Sequence, residues 1–193
     1  MSDRIRHLCR ITAAAAAGRR EHLDAWYRAA RGDGIALGDL QEATLQVFLF
    51  AGYPRTIDAF EALDAPTPPP LEPARGDFEA RGRELFERIY GPHAPEVLDK
   101  LDALHSDFRR FVVRDAYGQV LGRPFLAVEE RELMAVAMLA ALGLRSQLRA
   151  HVRGARRVGV TPAQVRVAMD AAEEAAGPLT EARALVERAL SAR

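Results

Sequence analysis

The sequence has a single cysteine, Cys9, among its 193 residues. One thiol cannot close a disulfide within the chain, and it cannot supply the several thiolates of a cysteine-rich zinc site. Charge of one sign is not in excess either, because 27 basic residues balance 27 acidic residues. This balance gives the chain no general attraction to nucleic acid or to an anionic membrane surface.

Long hydrophobic runs are also missing. No apolar stretch approaches the roughly 20 residues that a membrane-spanning helix requires. An alanine run, residues 13–17, follows a basic start, but it lacks the leucine-rich centre of a signal peptide and ends at Gly18-Arg19. These features predict a cytoplasmic protein with neither a membrane nor a nucleic acid as partner.

Strand-type alternation is scarce, and alanine, leucine, arginine and glutamate dominate. Apolar residues recur with a spacing near 3.6, which is typical of amphipathic helices. The sequence therefore predicts an all-α protein. The predicted helices are residues 4–17, 19–31, 39–63, 77–90, 95–117, 129–142, 145–157, 162–176 and 179–191, with an irregular loop around 120–126.

A proline-rich segment divides the chain. Residues 64–76 contain five prolines and end at Gly76. Proline removes backbone donors and favours extended backbone before it, so this segment is predicted to be a semi-rigid linker. The predicted organisation is a first helical segment at 1–63, the linker at 64–76 and a second domain at 77–193.

The first segment repeats in the second at an offset of 125 residues. About sixteen of roughly fifty-eight aligned positions are identical. Glycines, which mark turns that a repeat must preserve, coincide at three places. The pairs are Gly18 with Gly143, Gly34 with Gly159, and Gly52 with Gly177. We interpret this repeat as a duplication. It predicts a pseudo-twofold bundle in which each copy covers the apolar face of the other.

Residues 78–188 resemble the carboxymuconolactone decarboxylase family, which includes the AhpD-type alkylhydroperoxidases. The resemblance also reaches the first copy, where residues 50–54 are similar to the family's C-terminal signature. In the second copy that signature has changed to residues 175–178. The motifs that carry the resemblance are Gly82-Arg83-Glu84-Leu85, Tyr90-Gly91, Ala116-Tyr117-Gly118, Glu130-Arg131-Glu132-Leu133, Ala140-Ala141-Leu142-Gly143, Gln147-Leu148, His151, Gly159-Val160-Thr161-Pro162 and Phe50-Ala51-Gly52-Tyr53-Pro54.

The resemblance is to the decarboxylase branch of the family. The peroxidase branch uses Glu-x11-Cys-x2-Cys-x3-His, and counting from Glu132 places Leu144 and Gln147 at the cysteine positions and His151 at the histidine. A thiol peroxidase needs an attacking thiolate and a resolving thiol, and neither leucine nor glutamine supplies one. The sequence therefore argues against an alkylhydroperoxidase.

Glu132 and His151 are the candidate catalytic residues. A turn at Gly143 would fold the carboxylate back towards the imidazole, and a carboxylate is the usual group that orients a histidine base. Gln147 is the candidate hydrogen-bond donor to a substrate. Arg145 and Arg149 are candidates for holding a substrate carboxylate, because guanidinium groups suit planar oxyanions.

Structural explanations for the same residues stay open. A histidine on an apolar helix face can be a satisfied core residue. Glu132 follows two other glutamates, so it can belong to a solvated acidic first turn that the helix dipole favours. The arginines can be surface ion-pair residues. In the first copy the corresponding residues are His7, Arg19, His22 and Trp26, which suits a structural partner better than a second proton-transfer site, although His7 and His22 can form a polar site.

Two functions follow from the resemblance. The first is a cofactor-free acid/base enzyme acting on a small carboxylated lactone or a related acid. The second is a helical binding or assembly protein that retains the fold without activity. No metal-ligand spacing or glycine-rich phosphate loop is present in the sequence, so neither a metal nor a cofactor is expected. Family members usually assemble as trimers or hexamers, which implies a homo-oligomer and, with two units per chain, a trimer.

Overall fold

The computed structural model describes residues 2–65 and 76–191, and within these ranges it contains helices and no strand. The predicted all-α fold is confirmed for these residues. The α-helices are α1 (Ser2–Ala17), α2 (Arg20–Gly32), α3 (Leu37–Leu63), α4 (Phe78–Tyr90), α5 (Ala94–Leu104), α6 (Phe108–Arg110), α7 (Val128–Ala141), α8 (Arg145–Arg157), α9 (Pro162–Ala176) and α10 (Thr180–Ser191). A 3₁₀ turn, Gly91–His93, precedes α5, and a π-helix, Phe111–Leu121, follows α6.

The chain forms two compact units. Among the described residues, the first comprises residues 2–65 and 125–191, and the second comprises residues 76–124. The predicted proline-rich linker lies almost wholly outside the described residues. The predicted domain boundaries at residues 63 and 77 stay predictions. Compact units are defined by how residues pack, and they do not show where a sequence repeat begins.

Helices α1 and α7 form the centre of the first unit. Every residue from Arg131 to Ala140 is buried, and so is the run from Ile11 to Ala16. The two helices pack on each other, and both also pack against α3 and α9. Alanine fills most of the buried α1 run, where its short side chain permits a close approach of the neighbouring helices. On α7 the core is filled by larger side chains, Leu133, Met134, Met138 and Leu139, which are fully buried.

The helices of the first unit follow the offset of 125 residues found in the sequence. The pairs α2 and α8, and α3 and α9, begin at positions related by that offset. All six paired glycines have positive φ, between 70° at Gly143 and 99° at Gly159. Side chains other than glycine disfavour this backbone region. The two segments thus share their helix bounds and turns, while their common origin stays a prediction.

A buried ion pair joins α7 to α3. Arg131 Nη2 donates to Glu42 Oε2 at 3.0 Å, and Arg131 Nη1 donates to Gln46 Oε1 at 3.3 Å. Gln46 returns a hydrogen bond from Nε2 to the Arg131 carbonyl at 2.8 Å. Arg131 is 1% exposed and Glu42 is 3% exposed. Charges this deeply buried require partners, so the network fixes the register of α7 on α3.

The second unit depends on two glycines at a helix–helix contact. A Cβ added to Gly82 would overlap the carbonyl oxygen of Val113, and one added to Gly118 would overlap the carbonyl of Phe78. Helix α4 and the π-helix therefore touch backbone to backbone. Arg81 Nε also donates to the Gly118 carbonyl at 2.7 Å.

Two predicted helices are interrupted, and the predicted loop begins late. Helix α3 breaks at Gly52, whose φ of 75° cannot continue a right-handed helix. The predicted helix 95–117 ends at Leu104, where His105 is extended, and resumes at Phe108. The loop predicted from residue 120 starts only at Gly122, because the π-helical hydrogen bonds continue to the bond from Gly122 N to the Tyr117 carbonyl.

No helix within the described ranges is long and apolar enough to cross a membrane.

We expect Gly82→Ala to destabilise the second unit by about 1–3 kcal/mol, because the added methyl group must push two backbones apart. Hydrogen exchange of the amides in residues 78–90 measures this loss locally. The matched control is Gly38→Ala on α3, where a Cβ meets nothing within 4 Å. It should be neutral or stabilising by up to about 1 kcal/mol. Equal protection in Gly82→Ala and the wild type would contradict the close contact.

We expect Arg131→Met to lower the free energy of unfolding by about 3–5 kcal/mol, because it leaves the Glu42 carboxylate buried without its guanidinium. The double variant Arg131→Met/Glu42→Leu should recover much of this loss, since both buried charges are gone. Denaturant titration of the three proteins measures the coupling. Additive losses in the double variant would show that the two side chains do not interact.

Candidate functional site

Glu132 and His151 meet inside the first unit. His151 Nδ1 lies 3.1 Å from Glu132 Oε2 and 3.3 Å from Oε1. Glu132 has no exposed surface, whereas 9% of His151 is exposed. A carboxylate only accepts hydrogen bonds, so Nδ1 carries the proton in this contact. The other ring nitrogen, Nε2, has no hydrogen bond within the described part of the chain, which leaves it able to take up or release a proton.

The local sequence explains this contact. Helix α7 is buried on all sides near Glu132, and Gly143, with φ of 70°, reverses the chain after the helix. Helix α8 then runs back with a buried face of Leu148, His151, Val152 and Ala155. His151 lies two helical turns into α8, where that face meets α7. The predicted fold-back at Gly143 therefore brings the carboxylate and the imidazole together.

The burial of Glu132 rules out one structural explanation. A residue without exposed surface is not part of a solvated acidic turn. Its neighbour Glu130 is the acidic residue that serves the first turn: it accepts from the backbone N–H of Ala127 at 3.2 Å and pairs with Arg4 at 2.6 Å. A buried carboxylate needs a donor, and the His151 ring is one, so the contact is required for stability whatever its chemistry.

Phe50, from the first half of the chain, forms a wall of this site. Its ring meets the His151 ring edge-on, with 5.6 Å between the centroids. Residues 50–54 were identified as a family signature, but the sequence did not reveal that they lie beside His151. That placement arises because α3 packs against α7.

The predicted substrate-binding residues lie on the exposed side of α8. Gln147 and Arg149 are exposed, and neither has a hydrogen bond or ion pair within the described residues. Arg145 Nη1 lies 3.0 Å from Glu181 Oε2 at the surface. The structure thus brings Glu132 and His151 together, and it places Gln147, Arg145 and Arg149 outside this contact.

The cysteine positions of the peroxidase motif lie at the start of α8. Leu144 is 42% exposed, and Gln147 is also exposed. The one thiol of the chain is elsewhere, on α1, where Cys9 has no exposed surface. Burial raises the pKa of the Cys9 thiol far above its ordinary value. Cys9 is therefore a core residue rather than a thiolate nucleophile.

The corresponding residues of the first half form a different cluster. His7 Nε2 lies 2.7 Å from Asp33 Oδ2, and Arg10 Nη2 donates to His7 Nδ1 at 2.8 Å. The Arg10 guanidinium also lies 5.4 Å from the centre of the Trp26 ring, and His22 stacks on that ring at 5.2 Å. His7 and His22 are thus separated by Arg10 and Trp26, and they do not share one polar site.

Within residues 2–65 and 76–191, no cluster of three or more histidine, cysteine, aspartate or glutamate residues could hold a metal ion.

Comparison with known proteins gives three matches. Residues 108–188 match the Carboxymuconolactone decarboxylase family. The chain is 33% identical over 143 residues to Peroxisomal protein 2 of Schizosaccharomyces pombe, which covers 70% of this chain and 67% of that protein. It is 34% identical over 87 residues to 4-carboxymuconolactone decarboxylase of Acinetobacter baylyi, which covers 45% of this chain and 65% of that protein. The matched region therefore spans about two thirds of each relative.

The two buried histidines should have opposite neutral tautomers. His151 should carry its proton on Nδ1, facing Glu132, whereas His7 should carry it on Nε2, because Arg10 donates to Nδ1. Nitrogen-15 NMR of the neutral imidazole rings distinguishes the two forms. Glu132→Leu should remove the Nδ1–H preference of His151 and leave His7 unchanged. Observation of His151 as an Nε2–H tautomer in the wild type would contradict the contact.

Proposed function

The chain belongs to the carboxymuconolactone decarboxylase family, and on that premise we propose that it is a cofactor-free acid/base enzyme acting on a small carboxylated lactone or a related acid. The observation that supports this most directly is the contact between buried Glu132 and His151. The likeness to the decarboxylase of Acinetobacter baylyi over 87 residues agrees with it.

The proposed reaction assigns a separate task to each side chain. When carbon dioxide leaves, the bond between carboxylate and ring carbon breaks, and its electron pair stays on the conjugated ring. That carbon then takes a proton, which His151 delivers from Nε2. Glu132 holds Nδ1–H, orients the ring, and balances the positive charge of the imidazolium before transfer. Water returns the proton to the imidazole afterwards, so the cycle needs no cofactor.

In the proposed site, Phe50 shapes the surroundings of His151 and makes them less polar. Its ring edge against His151 limits the access of water to one side of the imidazole. Reduced hydration strengthens the electrostatic attraction between Glu132 and a protonated His151. A planar, conjugated substrate also packs favourably against an aromatic wall.

The proposed substrate ligands are Gln147, Arg145 and Arg149. They precede His151 in the chain and lie on the exposed side of α8, so they would meet a substrate only at the protein surface. Arg145 would first have to leave Glu181, and a surface ion pair of this kind contributes at most about 1 kcal/mol. That cost is small compared with a charged hydrogen bond to a substrate carboxylate.

A non-catalytic binding or assembly role is the second candidate. The exposed apolar side chains of Tyr53, Ile57 and Leu144 favour it, since exposed apolar surface commonly marks an interaction site. The name Peroxisomal protein 2 also states no reaction for that relative. We propose a homo-oligomer in either case, and a trimer in which six helical units take the place of the family's hexamer.

Two locations in the cell are candidates for this protein. The sequence predicts the cytoplasm, and the name of the Schizosaccharomyces pombe relative associates that protein with the peroxisome.

We expect the purified protein to convert 4-carboxymuconolactone, and we expect His151→Ala and Glu132→Ala each to reduce kcat by a factor of about 10² or more, because the proton step loses its donor or its orienting group. Product formation followed by ultraviolet absorbance measures this. The matched control is His22→Ala on α2, an exposed histidine at the position that corresponds to Gln147.

Equal slow rates in the wild type and in all three variants would refute the enzyme proposal and favour the binding role. A hydroperoxide assay should show no thiol-dependent turnover, because the cysteine positions hold Leu144 and Gln147.

A further inference from the structure

An open cavity at the surface of the first unit is lined by none of Glu132, His151 and Phe50. Its volume is about 480 Å³, within the range of small-molecule sites. The walls come from the C-terminal ends of α1 and α7 and from the residues just before the two glycine breaks of α3 and α9. The lining residues are Ala16, Ala17, Ala51, Ala141, Leu142, Ala176 and Leu179, with Arg19 and Arg55.

The cavity has unbalanced positive charge. Arg19 and Arg55, both of them exposed, are the charged residues of its lining, and no carboxylate of the described residues lines it. Neither guanidinium has a hydrogen bond or an ion pair within the described part of the chain. Other arginines of this unit, such as Arg4 and Arg183, each pair with two carboxylates. Two unpaired guanidiniums on one cavity favour an oxyanion.

The Arg55 guanidinium packs against the backbone at Gly18. A Cβ on residue 18 would overlap the Arg55 guanidinium, so this group lies against the bare backbone of Gly18. The corresponding Gly143 in the other half has nothing within 4 Å of the same point. The missing side chain at Gly18 therefore both permits the turn and makes room for the cation.

The two ends of the cavity differ in charge. At the offset of 125 residues, Arg19 corresponds to Leu144 and Arg55 corresponds to Thr180, so the second half supplies neither cation. The walls are otherwise alanine and leucine. A fitting ligand therefore has its negative charge at one end and a short hydrocarbon body at the other.

We propose that this cavity binds a small organic carboxylate, with Arg19 and Arg55 as ligands of the carboxylate and the alanine walls against its carbon chain. The proposal does not depend on the reaction assigned to Glu132 and His151.

Isothermal titration of the full chain with hexanoate tests it, with hexanamide as the neutral probe of the same shape and inorganic phosphate as an anion without a carbon body. Hexanoate should bind saturably, and hexanamide and phosphate should each bind at least tenfold more weakly. Arg19→Gln and Arg55→Gln should each weaken hexanoate binding by about tenfold or more, because each removes a charged hydrogen bond. Ala176→Leu, which fills the cavity while keeping both arginines, should also abolish it.

Two controls separate this site from the proposed active site. Arg153→Gln removes an exposed arginine on α8, outside the cavity, and should bind hexanoate as the wild type does. His151→Ala should bind it equally well even where its activity is lost. Absence of saturation with hexanoate, equal affinity for phosphate, or unchanged binding in the double variant Arg19→Gln/Arg55→Gln would each overturn the proposal.

Discussion

The burial of α7 constrains the rest of the first unit. This helix has α1, α3, α8 and α9 around it, and its residues from Arg131 to Ala140 are withdrawn from water. Two of those residues are charged. Because an unpaired buried charge is strongly destabilising, each must find a partner on a neighbouring helix. Arg131 finds Glu42 and Gln46 on α3, and Glu132 finds His151 on α8.

This arrangement gives Glu132 two roles. Its contact with His151 satisfies a buried carboxylate and fixes α8 on α7, which is a structural role. The same contact occupies Nδ1 of His151 and leaves Nε2 without a hydrogen bond to any residue that the structure describes, which is the condition for proton transfer. Stability and chemistry thus depend on one interaction, so a loss of activity after mutation has to be separated from a loss of folding.

The two halves of the first unit share their helix bounds and differ in their polar residues. Where the second half has Glu132 and His151, the first half has His7 and Trp26, and its polar cluster is closed by Asp33 and Arg10. Where the first half has Arg19 and Arg55 beside a cavity, the second half has Leu144 and Thr180. The shared helices preserve the packing. The changed positions give the second half the Glu132–His151 contact and give the first half the two arginines of the cavity.

The sequence by itself determined the helices of this protein, the glycine turns and the spacing that relates Glu132 to His151, because periodicity, capping and φ preferences are local properties. The prediction of one helix over 39–63 missed the break of α3 at Gly52, because apolar residues recur on both sides of it, although the pairing of Gly52 with Gly177 marks a turn there. Only the tertiary structure placed Phe50 against His151, buried Glu132 completely, and set Gln147, Arg145 and Arg149 on the outside of α8. Those outcomes depend on which helix faces meet. Residues that are 89 positions apart in sequence, such as Glu42 on α3 and Arg131 on α7, meet only when the whole unit is folded.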